Sequence, residues 1–233
     1  MPSAIKKIDP RISSFRRLVL DFYKKNGRAL PWRTNTDPYW VLVSEIMLQQ
    51  TQVPRGLVKF PEFIERFPTI QALAVASIPD VLSAWQGLGY NRRALFLKRT
   101  AELIVTHYGG EIPTDLETLK RFPGIGPNTA ASILAFAYNI PHPFIETNVR
   151  TVFLNHFFNG ELNISDAQLM PLIAEALDKK NTRRWHWALM DYGTHLKKTQ
   201  GNASKNSRHY VKQTRFEGSL RQVRGLILKT LLA

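Results

Sequence analysis

Apolar residues recur at helical spacing along most of this chain, and the segments they mark are separated by Pro and Gly. The pattern predicts helices over 12–25, 39–52, 57–66, 69–75, 79–86, 92–107, 115–121, 128–138, 148–157, 166–178 and 183–193. Between them stand Pro68, Pro79, Gly87, Gly89, Gly109, Gly110, Pro113, Gly124, Gly126, Pro141 and Pro143. Thr114 followed by Glu117 reads as a capping box, with Thr114 as the N-cap. No segment shows the sustained alternation of a half-buried strand, so the expected fold class is all-α. Residues 195–217 break the pattern with His, Lys, Thr, Gln, Asn, Ser and Arg, and read as a basic loop. Beyond it Leu220, Val223, Leu226, Ile227 and Leu231 predict a closing amphipathic helix within 218–233.

Composition narrows the function. The 233 residues suffice for one large core or two smaller lobes, and 44% hydrophobic against 21% charged residues is a globular balance. The sequence has no cysteine, which excludes disulfides, thiolate metal sites, cysteine-held iron–sulfur clusters and thiol nucleophiles. No apolar run approaches the roughly 18 residues of a membrane span. The basic N-terminal stretch lacks the apolar segment of a secretory signal, so a cytoplasmic location is expected. Against 18 acidic residues stand 32 Lys and Arg, a formal charge of +14. Such an excess points to a polyanionic partner, nucleic acid before others, with a bias toward solubility as the plainer reading.

Three places could carry chemistry. In Phe122-Pro-Gly-Ile-Gly-Pro-Asn-Thr-Ala130, Gly124 and Gly126 permit a tight turn between two helices, and Asn128 and Thr129 open the second. A helix start of this kind offers N–H groups and a positive dipole end to one phosphate, the helix-hairpin-helix way of gripping a DNA backbone without reading bases. Glu45 is the only charged residue between Asp37 and Arg55 and shares a helix face with Val41, Leu42, Leu48 and Gln49. Burial there should raise its pKa and keep a proton for general-acid work; a structural Glu satisfied by an Arg serves equally well at this point. Glu146 directly precedes the helix that starts near Thr147, as a second active-site carboxylate or as a helix-start anion and nothing more.

With Leu30-Pro-Trp32, Asp37-Pro-Tyr39, the string Ser44-Glu-Ile-Met-Leu-Gln-Gln-Thr-Gln-Val53, Gly87-Leu-Gly-Tyr90, Pro123-Gly-Ile-Gly126, Asn148-Val-Arg150 and Met190-Asp-Tyr-Gly193, the chain resembles the MutY-type adenine DNA glycosylases of the helix-hairpin-helix (HhH-GPD) superfamily from about Arg28 to Gly193. The resemblance implies a two-lobed helical fold: a six-helix barrel over 34–145, and a second lobe from 1–33 plus 146–233. It implies that Glu45 protonates a flipped adenine and that Glu146 stands where relatives have an aspartate facing the sugar cation. Gln49, Gln50, Thr51 and Tyr90 match wedge residues that fill the gap left by the flipped base. Trp32 and Tyr39 read as core or pocket wall.

The chain also departs from its relatives. The cluster cysteines are replaced by Thr194-His-Leu-Lys-Lys-Thr-Gln-Gly-Asn-Ala-Ser-Lys205, so no cofactor is expected, and Lys197, Lys198 and Lys205 of the basic loop are expected to hold phosphates. Glu146 is one methylene longer than the family aspartate, and no domain that reads 8-oxoguanine is expected within these 233 residues. Asn128 occupies the place of the Schiff-base lysine of lyase relatives, which implies a glycosylase without lyase activity. The six histidines show no ligand spacing, and no metal site is assigned. The expected activity is excision of adenine paired with guanine or 8-oxoguanine from double-stranded DNA, by a monomer. The alternatives are a glycosylase for uracil, G-mismatched thymine or hypoxanthine, and a non-catalytic module that holds lesions or abasic sites.

Overall fold

A computed structural model describes residues 9–212, 215 and 217–231. Among them α1 (Arg11–Asn26) comes first. Next are α2 (Pro31–Thr34), α3 (Pro38–Met47), α4 (Val53–Arg66), α5 (Ile70–Val75) and α6 (Ile78–Ala84). Then follow α7 (Arg92–Tyr108), α8 (Leu116–Leu119) and α9 (Pro127–Tyr138). The chain continues through α10 (Thr147–Phe157), α11 (Asp166–Ala176), α12 (Thr182–Thr199), a 3-10 turn over Ala203–Asn206 and α13 (Leu220–Leu231). The described residues hold no named strand, only a single parallel bridge between Ile164 and Ser207, so the fold is all-α. No described helix is long and apolar enough to cross a membrane.

Contacts divide the chain into two compact units, 1–28 with 139–211 and 29–138 with 212–233. The family resemblance implied boundaries at 33/34 and 145/146, with the whole C-terminal stretch in the second lobe. Specific polar contacts mark the observed units. Arg28 belongs with α12 because its backbone N–H and guanidinium both bind the Asp191 carboxylate, at 2.8 and 2.7 Å. Asn139 donates to the Lys180 carbonyl and accepts from the Arg183 N–H. The described residues after 211 join the other unit, where Arg221 donates to the Tyr90 hydroxyl at 2.7 Å.

The larger unit is organised by two helices that are apolar on nearly every face. In α3 Val41, Leu42, Val43, Ile46 and Met47 are all buried, and α9 buries Ala130 through Ala137 without a break. A helix with no polar face has to lie inside. The two pack on each other, with α2, α4 and α7 also against α3 and α8 against α9. Asp37 starts α3 by accepting from the N–H groups of Tyr39 and Trp40. The capping box expected at Thr114 is absent: α8 begins one residue later, and its N-cap is Asp115, which accepts from Thr118 N.

The smaller unit packs α1, α10, α11 and α12 around Phe15, Phe153, Phe157 and Trp185, whose rings meet edge-on or stacked. Here α12 runs to Thr199 and not to 193, because Leu196 continues the buried stripe before Gly201 turns left-handed at φ +88°. The segment expected as a loop from 195 is therefore helical for its first turn.

One buried group links this unit to pH. His186 is fully buried, with its ring stacked on Phe144 at 4.0 Å. Burial pushes its pKa from the ordinary 6.5 down to about 3, against a smaller opposite pull from the His142 backbone. Between those two values the unfolded chain binds the extra proton, so stability rises with pH and is lost as pH falls from about 6.5 toward 3. Urea denaturation should show an acid-side decline of at most about 1.4 kcal/mol per pH unit from this group, and His186→Phe should flatten it. An unaltered slope in that variant would assign the decline to other groups, His156 among them, whose pKa burial also lowers.

Candidate functional site

The turn after α3 is shaped by Arg93 of α7, a residue that the sequence pattern did not single out. Only 8% exposed, its guanidinium donates to the carbonyls of Ile46, Met47 and Gln49, to Thr51 Oγ1, and to the carbonyls of Leu88 and Gly89. It also lies over the rings of Trp85 and Tyr90, at 5.4 and 5.6 Å. The helix expected over 39–52 stops at Met47, where the Arg93 side chain binds the carbonyls of Ile46 and Met47 and the chain tightens into a turn through Gln49 N–H on the Ile46 carbonyl. Burial lowers the Arg93 pKa to about 10, which leaves it charged at neutral pH. The only signal in the sequence is its position, three residues after Tyr90.

This clamp holds two unusual backbone positions. Gln50 and Tyr90 have φ of +54° and +49°; the other described non-glycine residues with positive φ are asparagines, which adopt that conformation readily. Both belong to the expected wedge. Gln50 is exposed and Tyr90 is 37% exposed. The other two wedge candidates are engaged within the unit. Gln49 Nε2 lies 3.1 Å from the Gly124 carbonyl and 3.2 Å from Thr129 Oγ1, and Thr51 accepts from Arg93.

The hairpin lies between α8 and α9 as its sequence implies. Gly124 is left-handed at φ +77°, and an added Cβ would come 3.0 Å from the Phe96 ring. Gly126 accepts the first helical bond of α9 from Ala130 N, and a Cβ there would meet no protein atom. Gly124, Gly126 and Asn128 are exposed, and Pro127, which lacks an N–H, takes the first helical position. A cavity of about 1230 Å³ adjoins the hairpin, lined by Gln49, Gln50, Tyr90 and Gly124 among others. Six of its sixteen lining residues are Arg or Lys and none is acidic, as suits an anionic ligand. Glu45 does not line this cavity. It sits half-buried on α3, its Oε2 2.5 Å from the Ser132 hydroxyl of α9.

In the smaller unit Glu146 is the N-cap of α10. Its Oε1 accepts from Asn148 N and Val149 N at 2.9 and 3.0 Å, and its Oε2 from the Asn148 side-chain amide. Lys197, expected as a phosphate contact on an open loop, is instead half-buried on α12 and donates to Asn148 Oδ1 at 2.7 Å. Burial lowers its pKa, Glu146 works against that shift, and Arg150 adds to it. Lys198 and Lys205 are exposed, on the last turn of α12 and the 3-10 turn. The stretch does not fit an iron–sulfur cluster. It offers no thiolate, and Ser204 is buried in hydrogen bonds with Thr151 Oγ1 at 2.7 Å and the Thr147 carbonyl at 3.0 Å. No group of three or more His, Asp or Glu residues is placed to hold a metal among the described residues.

Comparison with known proteins gives the family and the fold. Residues 43–178 match the HhH-GPD superfamily of base excision DNA repair proteins. The chain is 36% identical to an adenine DNA glycosylase of Buchnera aphidicola over 186 residues, 78% of this chain and 53% of that protein. It is 44% identical to one of Mycobacterium tuberculosis over 135 residues, 58% of this chain and 44% of that protein. The chain thus spans about half the length of these curated relatives. Among solved structures, a thermostable thymine-DNA glycosylase superposes with a TM-score of 0.72 at 24% identity, over 78% of this chain and 86% of that one. Endonuclease III in a non-covalent DNA complex gives 0.67 at 18% identity, over 81% and 88%. These two likenesses concern the fold.

The Arg93 clamp makes a direct prediction. Arg93→Lys keeps the charge but not the fork, and at most three donors would face six acceptors. The variant should lose about 2–4 kcal/mol of stability in urea denaturation, since buried carbonyls are left unpaired. A loss below about 1 kcal/mol would mean that the turns at 48–51 and 87–90 hold without it.

Proposed function

This chain belongs to the HhH-GPD superfamily of base excision DNA repair proteins, and on that footing we propose that it is a DNA glycosylase that removes adenine paired with guanine or 8-oxoguanine. The observation that carries the proposal is Glu45: a carboxyl set in the apolar helix α3, touching the helix that leaves the phosphate-gripping hairpin. The similarity to adenine DNA glycosylases supports adenine as the base.

In this reading the Gly124–Gly126 hairpin and the exposed cations of the larger unit hold the backbone of double-stranded DNA. Tyr90 and Gln50, presented outward from strained turns, fill the space of the flipped nucleotide. Glu45 gives its proton to the adenine ring. The bond from C1′ to the base nitrogen then breaks, with its electron pair leaving on the base. The Glu146 carboxylate, fixed by the start of α10, balances the sugar cation until water adds to C1′ and loses a proton to solvent, from which Glu45 is reprotonated. Gln49 and Thr51 set the shape of the wedge turn, and Lys198 and Lys205 meet phosphates. The enzyme uses no cofactor, works as a monomer and acts where the cell keeps its DNA, which in a prokaryote is the cytoplasm.

The test is a panel of duplexes with A, U, T or hypoxanthine opposite G or 8-oxoguanine, followed by hot alkali. Strand breaks are expected at adenine, and Glu45→Gln should reduce them about 10²–10⁴-fold while duplex binding stays within a few-fold. Breaks at another base would change the substrate, and none at any would favour a binding module.

We also propose that the chain has no lyase activity, because Asn128 offers no amine. Borohydride should then trap no protein–DNA adduct. An adduct that disappears in Lys197→Ala would instead make the half-buried Lys197 amine the nucleophile.

A further inference from the structure

The α9 helix is apolar from Ala130 to Ala137 except at Ser132, which is 3% exposed. Alanine would fill this position without the cost of burying a hydroxyl, so the oxygen needs partners. It has two. Ser132 Oγ lies 2.9 Å from the Thr129 carbonyl oxygen, one turn back, and 2.5 Å from Glu45 Oε2.

The two contacts make unequal demands. The Thr129 carbonyl can only accept, and a serine has one proton to give. If Glu45 is ionised, its oxygen is also an acceptor, and the single Ser132 proton must serve one of them while the other faces a lone pair. If Glu45 is protonated, both contacts are satisfied together: the carboxyl O–H donates to Ser132, and Ser132 donates to Thr129. We infer that Ser132 is the positioning residue for the proton on Glu45, accepting the carboxyl O–H while its own O–H is held by the Thr129 carbonyl.

Serine bonding to a carbonyl of its own helix is ordinary, and alone it would mean nothing more than a satisfied hydroxyl. Here that bond has a consequence, because it turns the oxygen's lone pairs toward Glu45. A lone pair favours the neutral carboxyl, whereas an O–H pointed the other way would favour the carboxylate. The inference rests on the glycosylase reading for its purpose: the held proton is the one delivered. In that step the Glu45 O–H bond breaks, an N–H bond forms on the base, and the glycosidic electron pair goes to the departing base. Ser132 itself neither gains nor loses a proton.

Other charged groups are carried by the helices around this pair. Packed on α3, α2 brings Arg33, α4 brings Arg55, Lys59, Glu62, Glu65 and Arg66, and α7 brings Arg92, Arg93, Lys98, Arg99, Glu102, His107 and Tyr108. Lys59 pairs with Glu62, Arg66 with Asp80, and Lys98 and Arg99 with Glu102. Arg93 is bonded to the carbonyls of Ile46 and Met47, just beyond Glu45. On the side of α9, Tyr138 donates to the Ile112 carbonyl, and Glu117 and Lys120 of α8 pair with each other. All of these are common to wild type and a Ser132 variant, so a comparison of the two isolates the hydroxyl.

The experiment is a titration of the full chain without DNA. Glutamate is labelled with ¹³C at the side-chain carboxyl, and the Glu45 resonance is assigned by its loss in Glu45→Gln. The Glu45 pKa should fall by about one pH unit in Ser132→Ala, the tenfold change in proton affinity that one net hydrogen bond represents. Ser132→Thr, which restores a hydroxyl, should return it toward the wild-type value. In the excision assay the alkaline limb of the single-turnover rate should move the same way. A Glu45 pKa that is unchanged or raised in Ser132→Ala overturns the inference, since a raised value would show Ser132 donating to a carboxylate. If Ser132→Ala does not fold, Ser132→Cys keeps the volume with a weak acceptor, and the same fall is expected. Absence of excision by wild type on every duplex would defeat the glycosylase reading alone; the titration needs no substrate and would still decide what Ser132 does.

Discussion

The larger unit depends on one buried guanidinium. Arg93 gathers the end of α3 and the turns at 48–51 and 87–90 onto a single planar group. A guanidinium can do this because its donors spread in one plane: Nη1 and Nη2 between them reach six oxygens, while the buried Nε–H meets none. Two turns that are far apart in sequence thereby become one surface. The left-handed backbones of Gln50 and Tyr90 are tolerable only inside such a clamp, since each costs energy that local sequence does not return.

The two apolar helices α3 and α9 serve a related end. From Val41 to Met47 every residue of α3 is buried except Glu45, which is half-buried and takes the Ser132 hydroxyl of the neighbouring helix as a partner. That neighbour also begins at the hairpin, so one rigid element, α9, carries the exposed Gly124–Gly126 turn at its start and Ser132 a turn further in. The proposed backbone grip and proton site would thus be spaced by helix geometry rather than by a loop.

The smaller unit solves a different problem. The C-terminal stretch of this unit is closed with hydroxyls and a backbone bridge: Ser204 on Thr151 and the Thr147 carbonyl, and Ile164 beside Ser207. Those bonds anchor the 3-10 turn to α10, the helix that Glu146 caps. Lys197 joins the same region through Asn148, so an amine, an amide and a carboxylate form one connected group at the start of α10. Glu146 has the geometry of a helix-start anion, and that role and a catalytic one require the same thing, a carboxylate fixed in place.

Much of this was legible in the sequence. The helical pattern, the hairpin Gly124, the isolated Glu45 and the helix start at Glu146 are all local, set by spacing of 3.6 residues, by a positive φ that only glycine adopts cheaply, or by a cap one residue ahead of its helix. Long-range bonds decided the rest. Arg93 reads as one more arginine in a basic chain until its partners, more than forty residues away, are seen around it. Ser132 meets Glu45 across 87 residues of sequence, and Lys197 meets Asn148 across 49. The end of α3 and the start of α8 were missed because side chains, not propensities, set them. Periodicity reports which face of a helix is buried; it carries no record of which distant polar group will be waiting there, because that is settled only when the helices pack.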